Sequence, residues 1–201
     1  MKYLKEKITH QIEINKSVFI TILYPLEHQE DIQKHINEAK KIYPKANHYC
    51  SASIYGESQE HATANDDGEP SRTAGIPILE VLKHHDVTNI LCVIVRYFGG
   101  IKLGTGGLVR AYTKAAADAI KDIKLYVKRI VPAYVVEFDY ALINQIDHYF
   151  EKKVTILEKS FLTTVTYKIV LLENNHSIMD DILHQLKSHQ RLDDEILWIE
   201  D

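Results

Sequence analysis

All eight glycines of the chain fall between Gly56 and Gly107, and seven of them lie from Asp66 to Tyr112. Glycine is needed where backbone turns tightly or comes close to something else. That one block must therefore hold most of the tight loops, and outside it only Gly56 is available for a turn. It reads DDGEPSRTAGIPILEVLKHHDVTNILCVIVRYFGGIKLGTGGLVRAY. Two punctuated loops flank an apolar run, and most charged residues that do not look like solvent-face filler are here. The block is the candidate functional surface, and the rest of the chain is its support.

The run NILCVIVR, Asn89–Arg96, is continuously apolar and bounded by loops, as expected of a strand covered on both faces. Before it, Lys5–Glu13 and Ser17–Tyr24 read as a hairpin, and Glu27–Ile42 as a helix with Ile32, Ile36 and Ala39 at helical spacing. Ala46–Tyr55 is strand-like, and a polar loop runs from Gly56 through Pro70. Thr73–His84 and Leu108–Ile123 are predicted helices on either side of the apolar run.

Composition shifts after Lys128-Arg129, and Pro132 marks a boundary between residues 1–131 and 132–201. The second part reads as strand Ala133–Phe138, helix Leu142–Lys152, strands Val154–Ser160 and Leu162–Leu172, helix Ser177–His189 and strand Glu195–Glu200. That order is βαββαβ, the ferredoxin-like arrangement, with turns made by residues such as Asn174-Asn175. The expected class is α+β in two domains.

Charge is uneven. Residues 1–131 hold 18 Lys+Arg against 15 Asp+Glu, whereas residues 132–201 hold 6 against 13. The acidic second part is unsuited to gripping a phosphate backbone with bulk charge. Cys50 and Cys92 form no framework of bridges and fit a reducing compartment. The N-terminus is charged throughout and no apolar run approaches the ~20 residues of a membrane span, so a cytoplasmic location and no membrane partner are expected.

The turn GGIKLGTGG sits between the buried strand and a helix. Gly104, Thr105, Gly106 and Gly107 would present unpaired backbone N–H groups, and Lys102 and Arg110 would add charge, an arrangement suited to an anion. The competing reading is that these glycines let helix pack on strand. No Walker loop or dinucleotide fingerprint is complete. Asp66, Asp67 and Glu69 crowd three carboxylates into four residues. They could hold a hard cation, or they could support the next helix, with Ser71 or Thr73 as its cap, and pair with Arg96. His48 flanks this turn as an accessory candidate. No zinc spacing and no hydrolase motif is present, so no catalytic residue, metal or cofactor is assigned. Arg72, Arg96, Lys102 and Arg110 are candidate contacts to phosphate, with Tyr97 as a stacking residue.

DDGEPSRTAGIPILEVL, VRYFGGIKLGTGGLVRAY and the upstream His48-Tyr49-Cys50-Ser51-Ala52 together closely resemble the signature of the IMPACT family and its bacterial YigZ-like members. The resemblance implies an N-terminal domain similar to the second domain of ribosomal protein S5, and a C-terminal ferredoxin-like domain similar to the last domain of elongation factor G. Eukaryotic relatives act in translational control. The expectation is a translation-linked protein binding RNA or a ribosome-associated protein through the Asp66–Tyr112 surface, without DNA sequence specificity. The alternative is an enzyme acting on a nucleotide or phosphorylated small molecule at the Gly104–Gly107 loop.

Overall fold

The computed structural model describes residues 1–121, 123–172 and 177–201. The chain forms two compact units, Met1–Val127 with Ile199–Asp201, and Lys128–Trp198.

The first unit begins with the short strand β1 (Lys2–Tyr3), followed by the hairpin β2 (Ile8–Ile14) and β3 (Ser17–Pro25). Asn15 and Lys16 join the hairpin with φ of 48° and 62°. Two left-handed residues are what a two-residue hairpin loop demands, and asparagine tolerates that conformation better than most. Helix α1 (Asp31–Ile42) and strands β4 (His48–Tyr55) and β5 (His61–Asn65) follow. Then come α2 (Gly75–His84), β6 (Val87–Thr88), β7 (Ile90–Tyr97) and α3 (Gly104–Lys121), and β8 (Tyr126–Val131) begins in this unit, its residues from Lys128 on belonging to the second. The main sheet has the order β2-β3-β7-β4-β5 and is antiparallel throughout. β1 pairs parallel with β6 and antiparallel with β8.

Strand β7 lies at the centre of that sheet, which explains its unbroken apolar character. Cys92 and Ile94 face one side and join Ile78, Leu82, Leu108 and Ala115 in a core under α2 and α3. Leu91, Val93 and Val95 face the other side and pack with Ile22, Tyr24 and Ala39 beneath α1. Each such aliphatic side chain contributes ~1.5–3 kcal/mol on full burial, so the sheet is clamped from both faces.

Two expectations for this unit are corrected. The polar segment from Gly56 to Pro70 is not all loop, because His61–Asn65 pairs with β4 as β5. All five residues of β5 are exposed, so no apolar alternation marked it. The helix expected from Leu108 begins at Gly104.

The second unit runs β9 (Ala133–Phe138), a 3₁₀ turn at Tyr140–Leu142, α4 (Ile143–Phe150), β10 (Val154–Phe161), β11 (Val165–Leu171), α5 (Ser177–Ile182) and β12 (Ser188–Arg191). Its sheet is antiparallel with the order β10-β11-β9-β12. One face packs on α4 and α5 through Val136, Phe138, Tyr167, Ile146 and Met179. The expected helix Ser177–His189 is shorter than read. It gives way to a 3₁₀ turn, Leu183–Gln185, and His189 lies in β12. The fourth strand of this sheet is therefore β12 and not the later strand β13 (Glu195–Glu200). The turn assigned to Asn174-Asn175 lies outside the described residues.

Candidate functional site

The chain leaves β7 at Tyr97, crosses Phe98–Leu103 and enters α3 at Gly104. Gly99 fixes that crossing: a Cβ there would lie 2.0 Å from the carbonyl carbon and oxygen of Lys16, so only glycine lets the loop press onto the hairpin tip. Asn47 holds the same loop by accepting the N–H of Phe98 on its Oδ1 at 2.8 Å. The glycines at the helix start differ. A Cβ at Gly104 would meet nothing within 4 Å, and one at Gly106 only the end of Arg110. Close approach of this loop to the hairpin tip thus accounts for Gly99, the left-handed backbone at Gly104 (φ 68°) accounts for glycine there, and no close contact accounts for Gly106.

The three carboxylates of the acidic turn go to three different places. Asp66 accepts the backbone N–H groups of Arg72 at 2.7 Å, Ala74 at 3.0 Å and Gly75 at 2.8 Å. It caps α2 from eight residues upstream of Ala74. The expected caps do not serve: Thr73 donates its hydroxyl back to the Pro70 carbonyl at 2.6 Å. Burial works against ionisation of Asp66, but the N–H donors of Arg72, Gly75 and Ala74 and the Arg72 charge outweigh it, and its carboxyl sits below the usual carboxylate range. Asp67 accepts the N–H of Tyr49 at 2.7 Å and ties the turn to β4.

Glu69 turns inward. Its Oε1 accepts Arg96 Nη1 at 2.6 Å and Tyr112 Oη at 2.8 Å, and both of those side chains are buried. The Cys50 thiol lies 3.0 Å from the Asp66 carbonyl and 3.3 Å from Tyr112 Oη, either of which can accept its proton. Burial pushes the Cys50 thiol up to about 12. The Tyr112 phenol is also raised, by burial first and then by Cys50 and Glu69. The Arg96 guanidinium stacks between the rings of Phe19 and Phe98, 5.5 and 5.6 Å from their centroids.

This buried group floors a hollow of ≈430 Å³ at the start of α3, walled by His48, Phe98, Lys102, Thr105 and Leu108. His48 Nδ1 lies 2.9 Å from the Asp67 carbonyl, which can only accept. Nδ1 therefore carries a proton, and Nε2 is left toward Glu69 Oε2 at 3.9 Å. An 18-residue helix has four N–H groups at its start with no partner inside the helix, equivalent to roughly +0.5 charge. Lys102 and Thr105 are exposed beside them.

Of the candidate residues, the hollow gathers His48, Glu69, Arg96, Lys102, Gly104 and Thr105. Arg72 lines a separate apolar hollow of ≈500 Å³ with Ile76 and Val109. Gly107 and Arg110 line a third with Glu13 and Lys114. Tyr97 alternates with Arg96 along β7 and points to the α1 face, where its hydroxyl donates to the Pro44 carbonyl at 3.1 Å. Phe98 was not singled out in the sequence, although an aromatic residue beside Gly99-Gly100 is a signal that could have found it. Among the described residues no cluster of three His, Cys, Asp or Glu side chains could hold a metal ion, and no helix is long and apolar enough to cross a membrane.

Taken together, the fold and this site define an α+β protein whose residues 15–120 match the family model described as Impact N-terminal domain. The chain is 41% identical over 145 residues to the IMPACT family member YvyE of Bacillus subtilis, covering 72% of this chain and 67% of the relative. An IMPACT family member of Haemophilus influenzae is 37% identical over 80% of each chain. A solved structure described as a hypothetical protein superposes with TM-score 0.61 at 30% identity, covering 96% of this chain and 97% of the other. The chain belongs to the IMPACT family.

Proposed function

We propose that this protein is a translation-linked regulatory protein that binds RNA through the Asp66–Tyr112 surface. The observation that carries the reading is the hollow at the start of α3, where helix N–H groups and Lys102 meet an exposed aromatic ring, Phe98. Cations beside exposed aromatics suit a single-stranded backbone and its bases. Arg72 and Arg110 are exposed on the flanking hollows and extend the positive fringe. Arg96, locked to Glu69, organises the floor from within.

The same reading takes residues 1–131 as the S5-like domain and 132–201 as the ferredoxin-like domain. The antiparallel order β10-β11-β9-β12 supports the second assignment, and the first rests on family resemblance. The protein works in the cytoplasm.

Filter binding of single-stranded RNA at about 50 and about 200 mM salt tests the proposal. Affinity should fall with salt, and Arg110→Ala should weaken binding and lower the slope by ~0.7. Equal retention of wild type and variant with no salt slope would count against RNA and leave a ribosome-associated protein as partner. A second reading, an enzyme acting on a nucleotide or phosphorylated small molecule, draws on His48 Nε2 and Thr105 at the same hollow. Turnover of a nucleotide would favour it over simple binding.

A further inference from the structure

We infer that the hollow at the start of α3 takes a phosphomonoester carried on a nucleoside, as a free nucleoside 5′-monophosphate or as the 5′-phosphorylated end of an RNA strand. The inference rests on the reading of this face as an RNA-binding surface and names what its deepest point recognises.

Three observations converge. The Arg96 side chain is 6% exposed, and its Nε is buried with no hydrogen-bond partner. A guanidinium carries five N–H donors, and leaving one buried without an acceptor carries its desolvation penalty uncompensated. Glu69 takes Arg96 through Nη1, on an Oε1 that also accepts Tyr112 Oη, and leaves Nε unbonded. His48 Nε2 is the second open group. Its ring is fixed from behind by the Asp67 carbonyl and stands too far from Glu69 for a hydrogen bond. The first-turn N–H groups of α3 and the exposed Lys102, which line the same hollow, supply the donors.

An unbonded guanidinium N–H beneath the floor, N–H groups and an ammonium at the helix start, and a ring nitrogen able to accept the P–OH of a singly ionised monoester match a group with several free oxygens. A phosphodiester continues into chain on two sides and turns only two free oxygens to any partner. A monoester has three, and a charge up to −2. The rest of the lining decides what the phosphate is attached to. Phe98 is 45% exposed at the rim, with Pro70, Leu103 and Leu108 beside it. An exposed aromatic ring over apolar side chains suits a stacked base. At ≈430 Å³ the hollow falls within the range of small-ligand sites.

The test compares one oligoribonucleotide carrying either a 5′-phosphate or a 5′-hydroxyl, labelled at the 3′ end, by fluorescence anisotropy on the full chain. AMP and adenosine are titrated in parallel by calorimetry. The phosphorylated strand should bind roughly tenfold tighter, and AMP should bind where adenosine does not. Thr105→Glu, an exposed position at the mouth, should erase the preference while leaving the fold intact, and Lys102→Ala should reduce it. A phosphate preference in either arm supports the inference. Equal affinity of the two strands together with silent AMP overturns it, even if RNA still binds elsewhere on the surface. AMP binding without any RNA binding would keep this ligand and remove the RNA reading.

Discussion

Tyr112 Oη and Glu69 Oε1 stand 2.8 Å apart in the interior of the first unit, joining residues 43 positions apart in the sequence. The same oxygen receives Arg96, so one carboxylate binds the acidic turn, the central strand and α3 into a single unit. Buried ion pairs stabilise little in net terms, but breaking one leaves an uncompensated charge.

Arg96→Met should therefore destabilise the protein by ~3–5 kcal/mol, while Arg96→Met combined with Glu69→Leu should cost much less than the two single changes added. Urea denaturation of the four proteins gives the coupling. Additive losses would show that the pair is not a unit.

Asp66 makes a pH prediction whose sign follows from its depressed titration. Its carboxyl ionises more readily in the fold than in the unfolded chain. The stabilisation is thus complete above the unfolded value near ~4 and is lost as pH falls through the lower folded value. Asp66→Asn should cost ~1–2 kcal/mol at neutral pH by weakening the cap of α2. It should also flatten the loss of stability in acid, read from denaturation midpoints across that window. An unchanged acid limb would mean that another carboxylate controls it.

Two glycines in the same block should respond oppositely to alanine. At Gly75 a Cβ would lie 2.5 Å from the Asn65 backbone nitrogen, so Gly75→Ala should cost ~1–3 kcal/mol as α2 is forced from β5. At Gly106, inside α3 and facing only the end of Arg110, alanine should add up to ~1 kcal/mol of stability. Thermal melts of both variants decide it, and a shift of the same sign in both would refute the packing argument.

Burial raises both thiols, Cys50 to about 12 and Cys92 further. Native protein at about pH 8 should react with a thiol-specific disulfide reagent only as fast as it opens, and both cysteines should react at once in denaturant. Rapid labelling of one thiol in the native state would show that Cys50 is reachable.

How much of this was legible in the sequence depended on where each signal is stored. NILCVIVR shows its burial on both faces directly, and the spacing of Ile32, Ile36 and Ala39 shows the face of α1. Strands β5 and β12 are entirely exposed, HATAN and SHQR, and are strands only because a neighbour pairs with their backbones. Side-chain pattern carries no trace of that. The pairing of Arg96 with the acidic turn could be read as an option, but which of three carboxylates it takes, and that Asp66 caps α2 instead of Thr73, is decided by turn geometry. Arg96 and Tyr97 look equivalent as neighbours in a basic-aromatic motif, yet the two-residue period of a strand sends them to opposite faces.

Strand β7 is shared by both layers of packing, with Ile94 buried under α2 and α3 and Val95 under α1. The helices on either side cannot loosen from the sheet one at a time without exposing part of it. Its amides should be the last in the protein to exchange with deuterated solvent, and their rate should report the opening of the whole first unit. On that expectation the strand that carries Arg96 opens only with the unit as a whole.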